Sequence, residues 1–68
     1  MYFYNLNFYQ KKNLIVDCFM QCDADNAKQA MRIFKARIKS RTDLIDQLLE
    51  IKKDYPGFTM KAEKSIYN

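Results

Sequence analysis

Tyr2-Phe3-Tyr4-Asn5-Leu6-Asn7-Phe8-Tyr9 is the stretch that decides the fold. Aromatic side chains suit a pleated, half-buried surface, and alternation with a period of two puts Tyr4, Leu6 and Phe8 on one face and Phe3, Asn5, Asn7 and Tyr9 on the other. Gln10-Lys11-Lys12-Asn13 then interrupts with polar residues. Leu14-Ile15-Val16-Asp17-Cys18-Phe19-Met20-Gln21 resumes the alternation, its even positions forming an apolar face and its odd positions including Asp17 and Gln21. Two such runs joined by a short polar segment predict a hairpin with a basic tip.

Working towards the C-terminus, Asp23-Ala24-Asp25-Asn26 supplies side-chain oxygens for the first orphan amides of a helix over residues 27–39. Ala27, Ala30, Met31, Phe34 and Ile38 follow the helical repeat and form its buried stripe. Ser40-Arg41-Thr42-Asp43 carries a second start signal, a capping box with the shorter acid, and predicts a break and a second helix over residues 43–54. One long bent helix stays open as the alternative, because no Gly or Pro stands at the junction. Leu44, Leu48, Ile51 and Tyr55 make the second apolar stripe, widened by Ile45 and Leu49. Asp54-Tyr55-Pro56-Gly57 stops that helix. Phe58-Thr59-Met60-Lys61-Ala62-Glu63 alternates again and predicts a third, edge strand. The expected fold is therefore α+β, a small β-β-α-α-β domain spanning residues 1–68 with an antiparallel sheet packed on two helices, the last few residues lying outside the fold.

A chain of 68 residues holds one domain and removes only ~60% of its unfolded surface from water. Its 49% hydrophobic content, with one Gly and one Pro, argues for regular elements over disorder. The absence of His removes the commonest general base near neutral pH. The single Gly57 excludes the phosphate-cradling glycine loops. Cys18 and Cys22, four apart on one strand, are separated by ~13 Å, too far for a disulfide. Their shared phase predicts two small buried hydrophobes, with Cys18 pointing inward and therefore inaccessible as a nucleophile. Without His or further Cys they do not complete a metal site. Asp17, Asp23 and Asp25 are better read as capping and solvated-face residues than as Mg²⁺ ligands or paired carboxylates. A binding protein is expected, with no catalysis, cofactor or metal. Apolar runs as short as Leu14-Ile15-Val16 predict no membrane contact, and reduced cysteines suit the cytoplasm.

Two surfaces are candidates for binding. Lys28, Arg32, Lys35 and Lys39 recur at i, i+4, i+7 and i+11, which at ~100° per residue places them within about 60° of one another. Arg37 and Arg41 lie nearby, and Lys11 and Lys12 occupy the hairpin tip. With a net charge of +4, this stripe reads either as a contact for phosphates or an acidic protein patch, or as a solvated helix face. The second surface is the outer face of the hairpin, where Phe3, Tyr9, Ile15 and Phe19 fall with Asn5, Asn7, Asp17 and Gln21. It reads either as a partner or homodimer patch, or as a face buried under the second helix or the C-terminal segment. A stacking platform for single-stranded nucleic acid needs aromatics and cations on one face, and here the aromatics and the stripe fall on different elements.

The hairpin followed by Asp23-Ala24-Asp25-Asn26-Ala27-Lys28-Gln29-Ala30-Met31-Arg32-Ile33 is similar in style to small phage-encoded proteins, including some anti-CRISPR proteins. The resemblance covers about half of the chain. It implies a phage or mobile-element inhibitor that occupies a surface of a host protein or ribonucleoprotein complex in the host cytoplasm. Such proteins often mimic DNA with acidic surfaces, whereas this chain is basic. The alternative is a nucleic-acid-binding module or small transcription regulator using the same cations. A helix-turn-helix is disfavoured by the acidic second helix, with Asp43, Asp46, Glu50 and Asp54.

Overall fold

The aromatic strand β1 (Tyr2–Gln10) is the central strand of the computed structural model, which describes residues 1–65. β2 (Asn13–Ala24) flanks it on one side and β3 (Thr59–Lys64) on the other, both antiparallel to it. Between β2 and β3 run α1 (Ala27–Ser40) and α2 (Thr42–Asp54), giving the α+β order β-β-α-α-β. The expectation for the last few residues falls outside the described positions.

The alternation of β1 works as its sequence requires. Tyr4, Leu6 and Phe8 are buried, and they meet Ala24, Ala30, Phe34, Ile38 and Leu44 in one core. Phe8, Phe34 and Leu6 are fully buried, each contributing ~1.5–3 kcal/mol of hydrophobic stabilisation. Phe8 sits at the centre, its ring 4.9 Å from that of Phe19 and 5.1 Å from that of Phe58.

β2 departs from simple alternation. Leu6 pairs with Met20 and Phe8 with Val16, so Asp17, Cys18 and Phe19 together oppose the single residue Asn7. A second shift between Phe8 and Tyr9 leaves Ile15 over, and Tyr9 then pairs with Leu14. Inserted residues bend a strand and re-aim its side chains. Here they correct four expectations. Cys18, at φ 54°, is exposed instead of buried, and Leu14 is turned outward. Phe19 and Ile15, expected on the outer face, pack against the core. Cys22 keeps its inward place, and burial pushes its thiol pKa up.

The hairpin closes in two residues, Lys11 (φ 51°) and Lys12 (φ 69°), between the paired Gln10 and Asn13. Positive φ at both central residues is the type I′ pattern, in which Asn-Gly is the favoured pair. α1 begins at Asn26, whose side chain accepts the Gln29 N–H at 2.8 Å, while the Gln29 side chain accepts the Asp25 N–H at 2.7 Å. The helix breaks at Arg41, which is extended at φ −130° and ψ 116°. The expected Ser40–Asp43 box does not form. Ser40 Oγ donates back to the Arg37 carbonyl at 3.0 Å, and Asp43 is taken by the Arg41 guanidinium at 2.6 and 3.1 Å. That partner holds the Asp43 carboxyl below the usual carboxylate range.

α1 lies on the sheet, whereas the α2 backbone approaches α1 alone. α2 reaches the core through Leu44, Leu48 and Ile51. Ile45, Leu49 and Tyr55 remain exposed, as does Ala27 on α1, so both apolar stripes are narrower than their sequence patterns. The Phe58 N–H donates to the Tyr55 carbonyl at 3.2 Å across Pro56 and Gly57, the latter at φ 77°. Pro followed by a positive-φ Gly is the type II turn, and it returns the chain to β3 on the free edge of β1.

Candidate binding surfaces

Charge is segregated between the helices. Five of the side chains of α1 are Lys or Arg and none is Asp or Glu, whereas α2 carries Asp43, Asp46, Glu50 and Asp54 against Lys52 and Lys53. Lys28, Arg32, Lys35 and Lys39 are all exposed and, among the described residues, make no hydrogen bond or ion pair. At a rise of 1.5 Å per residue they extend over ~16 Å of helix flank. Lys28, Arg32 and Lys35 border an open depression of about 430 Å³, with the partly buried Met31 as its apolar side. Such a surface has unpaired cations on flexible stems, able to meet a row of anions without breaking any internal bond.

Arg37 stands apart from this row. Its Nη1 donates to the Gln21 carbonyl at 2.8 Å, so its charge ties α1 to β2 instead of lining the flank. Lys11 and Lys12 are at the hairpin tip, as expected, and Lys12 faces a second depression.

That depression lies on the outer face of the sheet, which neither helix covers because both pack on the Leu6–Phe8 side. Phe3 is half exposed there. The rest of the face is a polar lattice. Asn7 Nδ2 donates to Glu63 Oε1 at 2.8 Å, and the Tyr9 hydroxyl donates to the same oxygen. Asn7 Oδ1 accepts the Cys18 N–H at 2.7 Å. Asn5 Oδ1 accepts from Gln21 Nε2 at 2.9 Å. The Tyr9 and Asn7 donors hold the Glu63 carboxyl below its ordinary range, and the bond to Glu63 raises the Tyr9 hydroxyl. Lys61 Nζ lies 5.3 Å from the Tyr9 ring centroid, within cation–π range. Tyr9, Lys12, Thr59 and Lys61 line a depression of about 360 Å³.

Of the aromatics expected on this face, Phe3 and Tyr9 are present and Phe19 is not. Lys61 was not among the candidates. Its odd position in β3 was visible as alternation, but its neighbourhood with Tyr9 arises only because β3 pairs with β1. Lys64, which pairs with Tyr4 and so falls on the opposite face of β3 from Lys61, has its Nζ 3.5 Å from the centroid of the exposed Tyr2 ring. Among the described residues no group of three His, Cys, Asp or Glu is placed to hold a metal ion, and no helix is long and apolar enough to cross a membrane. The chain matches no family model, no curated protein and no solved structure.

Proposed function

We propose that this is a small non-catalytic binding protein, a phage or mobile-element inhibitor of the anti-CRISPR type, which blocks a host nucleic-acid-processing complex by occupying one of its surfaces. The flank of α1 is its contact. The observation that carries the contact is the row Lys28, Arg32, Lys35 and Lys39, exposed on a helix without a single acid and unpaired among the described residues. An internal role would pair these charges, as Arg37 is paired with Gln21. The phage origin rests on the resemblance of the hairpin and residues 23–33, and the acidic counter-surface on charge complementarity.

A second reading, a nucleic-acid-binding module or small regulator, draws on the same row, because four lysines and arginines along ~16 Å of helix also suit a phosphate backbone. Affinity capture of the tagged chain from bacterial lysate, with and without nuclease, separates the two. Recovery of one nuclease-resistant protein complex supports the inhibitor. Recovery that collapses on nuclease and in moderate salt supports the nucleic-acid module. Reversing Lys28, Arg32, Lys35 and Lys39 to Glu removes capture in either case, and unchanged capture by the folded variant excludes the flank as the contact.

A further inference from the structure

We propose that the outer face of the sheet, around Tyr9, Lys12 and Lys61, binds single-stranded nucleic acid, with a base on the Tyr9 ring and its phosphates at the two lysines. This surface is separate from the α1 flank and does not rest on its assignment.

Three observations converge there. The first is ring presentation. Tyr9 is on the central strand, and its hydroxyl is held by Glu63 across the β1–β3 pair, so the ring is oriented before any ligand arrives. A base stacking on a ring already fixed loses less conformational entropy than one stacking on a mobile side chain. The second is charge. Lys61 already sits over the Tyr9 ring and Lys12 borders the same depression, while the nearby Glu63 is engaged by the Tyr9 and Asn7 donors. Asp17 is the other carboxylate whose field reaches Tyr9, and it stands exposed on the bulge.

The third is the turn. Lys11 and Lys12 both occupy left-handed backbone, which costs an ordinary side chain about 1–2 kcal/mol each. Asn-Gly would close the same hairpin without that cost. A turn that keeps two lysines against local preference places one of them, Lys12, at the lip of the Tyr9 depression, and departures from local preference concentrate at functional sites. Asn5 and Asn7 follow on the same face, and Phe3 offers an exposed ring ~20 Å along the strand from the half-buried Tyr9.

An aromatic ring beside separated cations fits bases and phosphates alternating on one flexible strand. A duplex hides the base faces that the ring would meet. An acidic peptide would use the lysines and leave the ring without a partner.

The test is fluorescence anisotropy with a labelled twelve-nucleotide mixed-sequence single strand, the matching duplex, and a polyglutamate peptide. The native chain is expected to bind the single strand at least tenfold more tightly than the other two. Tyr9→Leu should weaken it about tenfold, the effect of losing one stacked base. Tyr9→Phe, which keeps the ring but loses the hydroxyl that Glu63 holds, should bind more weakly than the native chain and more tightly than Tyr9→Leu. Lys12→Glu with Lys61→Glu, at exposed positions that leave the core intact, should weaken binding and flatten its salt dependence. Reversal of the α1 row should leave the preference for the single strand over the duplex in place. No single-strand binding, equal binding to duplex, preference for polyglutamate, or unchanged affinity in the folded Tyr9→Leu and double-lysine variants would each overturn the proposal.

Discussion

The carboxamide oxygen of Asn7 receives the backbone N–H of Cys18 at 2.7 Å, in the middle of the bulge that interrupts β1–β2 pairing. The bulge would otherwise leave that amide without a ladder partner. The other end of the carboxamide donates to Glu63 on β3, so this one buried polar side chain spans all three strands. Polar groups are kept inside small proteins when every valence is satisfied, and no buried side-chain nitrogen or oxygen among the described residues lacks a partner.

Replacing Asn7 with Ala removes both bonds and strands the Cys18 amide. The expected loss is about 1–3 kcal/mol in urea unfolding. The Cys18 thiol should also react faster with a maleimide or disulfide reagent than in the native chain, because the bulge that positions it is released. Unchanged stability would mean that the bulge is held by core packing of Phe19 alone.

Stability should depend on pH through Glu63. Donation by Tyr9 and Asn7 lowers its pKa in the fold, so the stabilised form is the carboxylate. That contribution is complete above the ordinary glutamate value of ~4.3 and is lost as pH falls through the lower folded value. Thermal melts should therefore drop below about pH 4. Glu63→Gln, which keeps an acceptor without the charge, should make the acid limb shallower. Some slope should survive, because Asp43 is also held low by Arg41. On the alkaline side Tyr9 is raised, so its contribution is present below the ordinary tyrosine value of ~10 and lost as pH climbs through the higher folded one. An acid limb identical in the native and Glu63→Gln chains would show that Glu63 is not clamped in solution.

Lys11→Asn with Lys12→Gly should stabilise the hairpin by about 1 kcal/mol or more, since the new pair accepts the left-handed backbone that both lysines now occupy. The same change should weaken single-strand binding by removing the cations at the tip. Greater stability with undiminished binding would separate the turn from the Tyr9 depression.

Gly57→Ala is expected to cost about 1–2 kcal/mol, entirely from its positive φ, because an added Cβ would meet no atom within 4 Å. Chemical denaturation should show a lower midpoint at an unchanged slope. A larger loss, or a changed slope, would mean that the turn delivering β3 to β1 has reorganised.

The period-two pattern in residues 2–9 and the helical periods after Asn26 were enough to place the hairpin and the helical region, because each reports a local repeat that burial of one face imposes, and the alternation of residues 58–63 pointed to the third strand without settling it. The type of cation row on α1 was legible for the same reason. The strand order was not, since nothing local tells β3 which edge to join, and the pairing of β3 with β1 is what gathers Tyr9, Lys61 and Glu63. Nor was the bulge legible. Its extra residues turn Phe19 inward onto Phe8 and Cys18 outward, and the deciding contact, Asn7 with Cys18, joins residues on different strands. What the sequence by itself determined are the elements and their apolar faces. Tertiary structure alone decided which exposed rings and charges share a surface, because that depends on register between segments up to 56 residues apart.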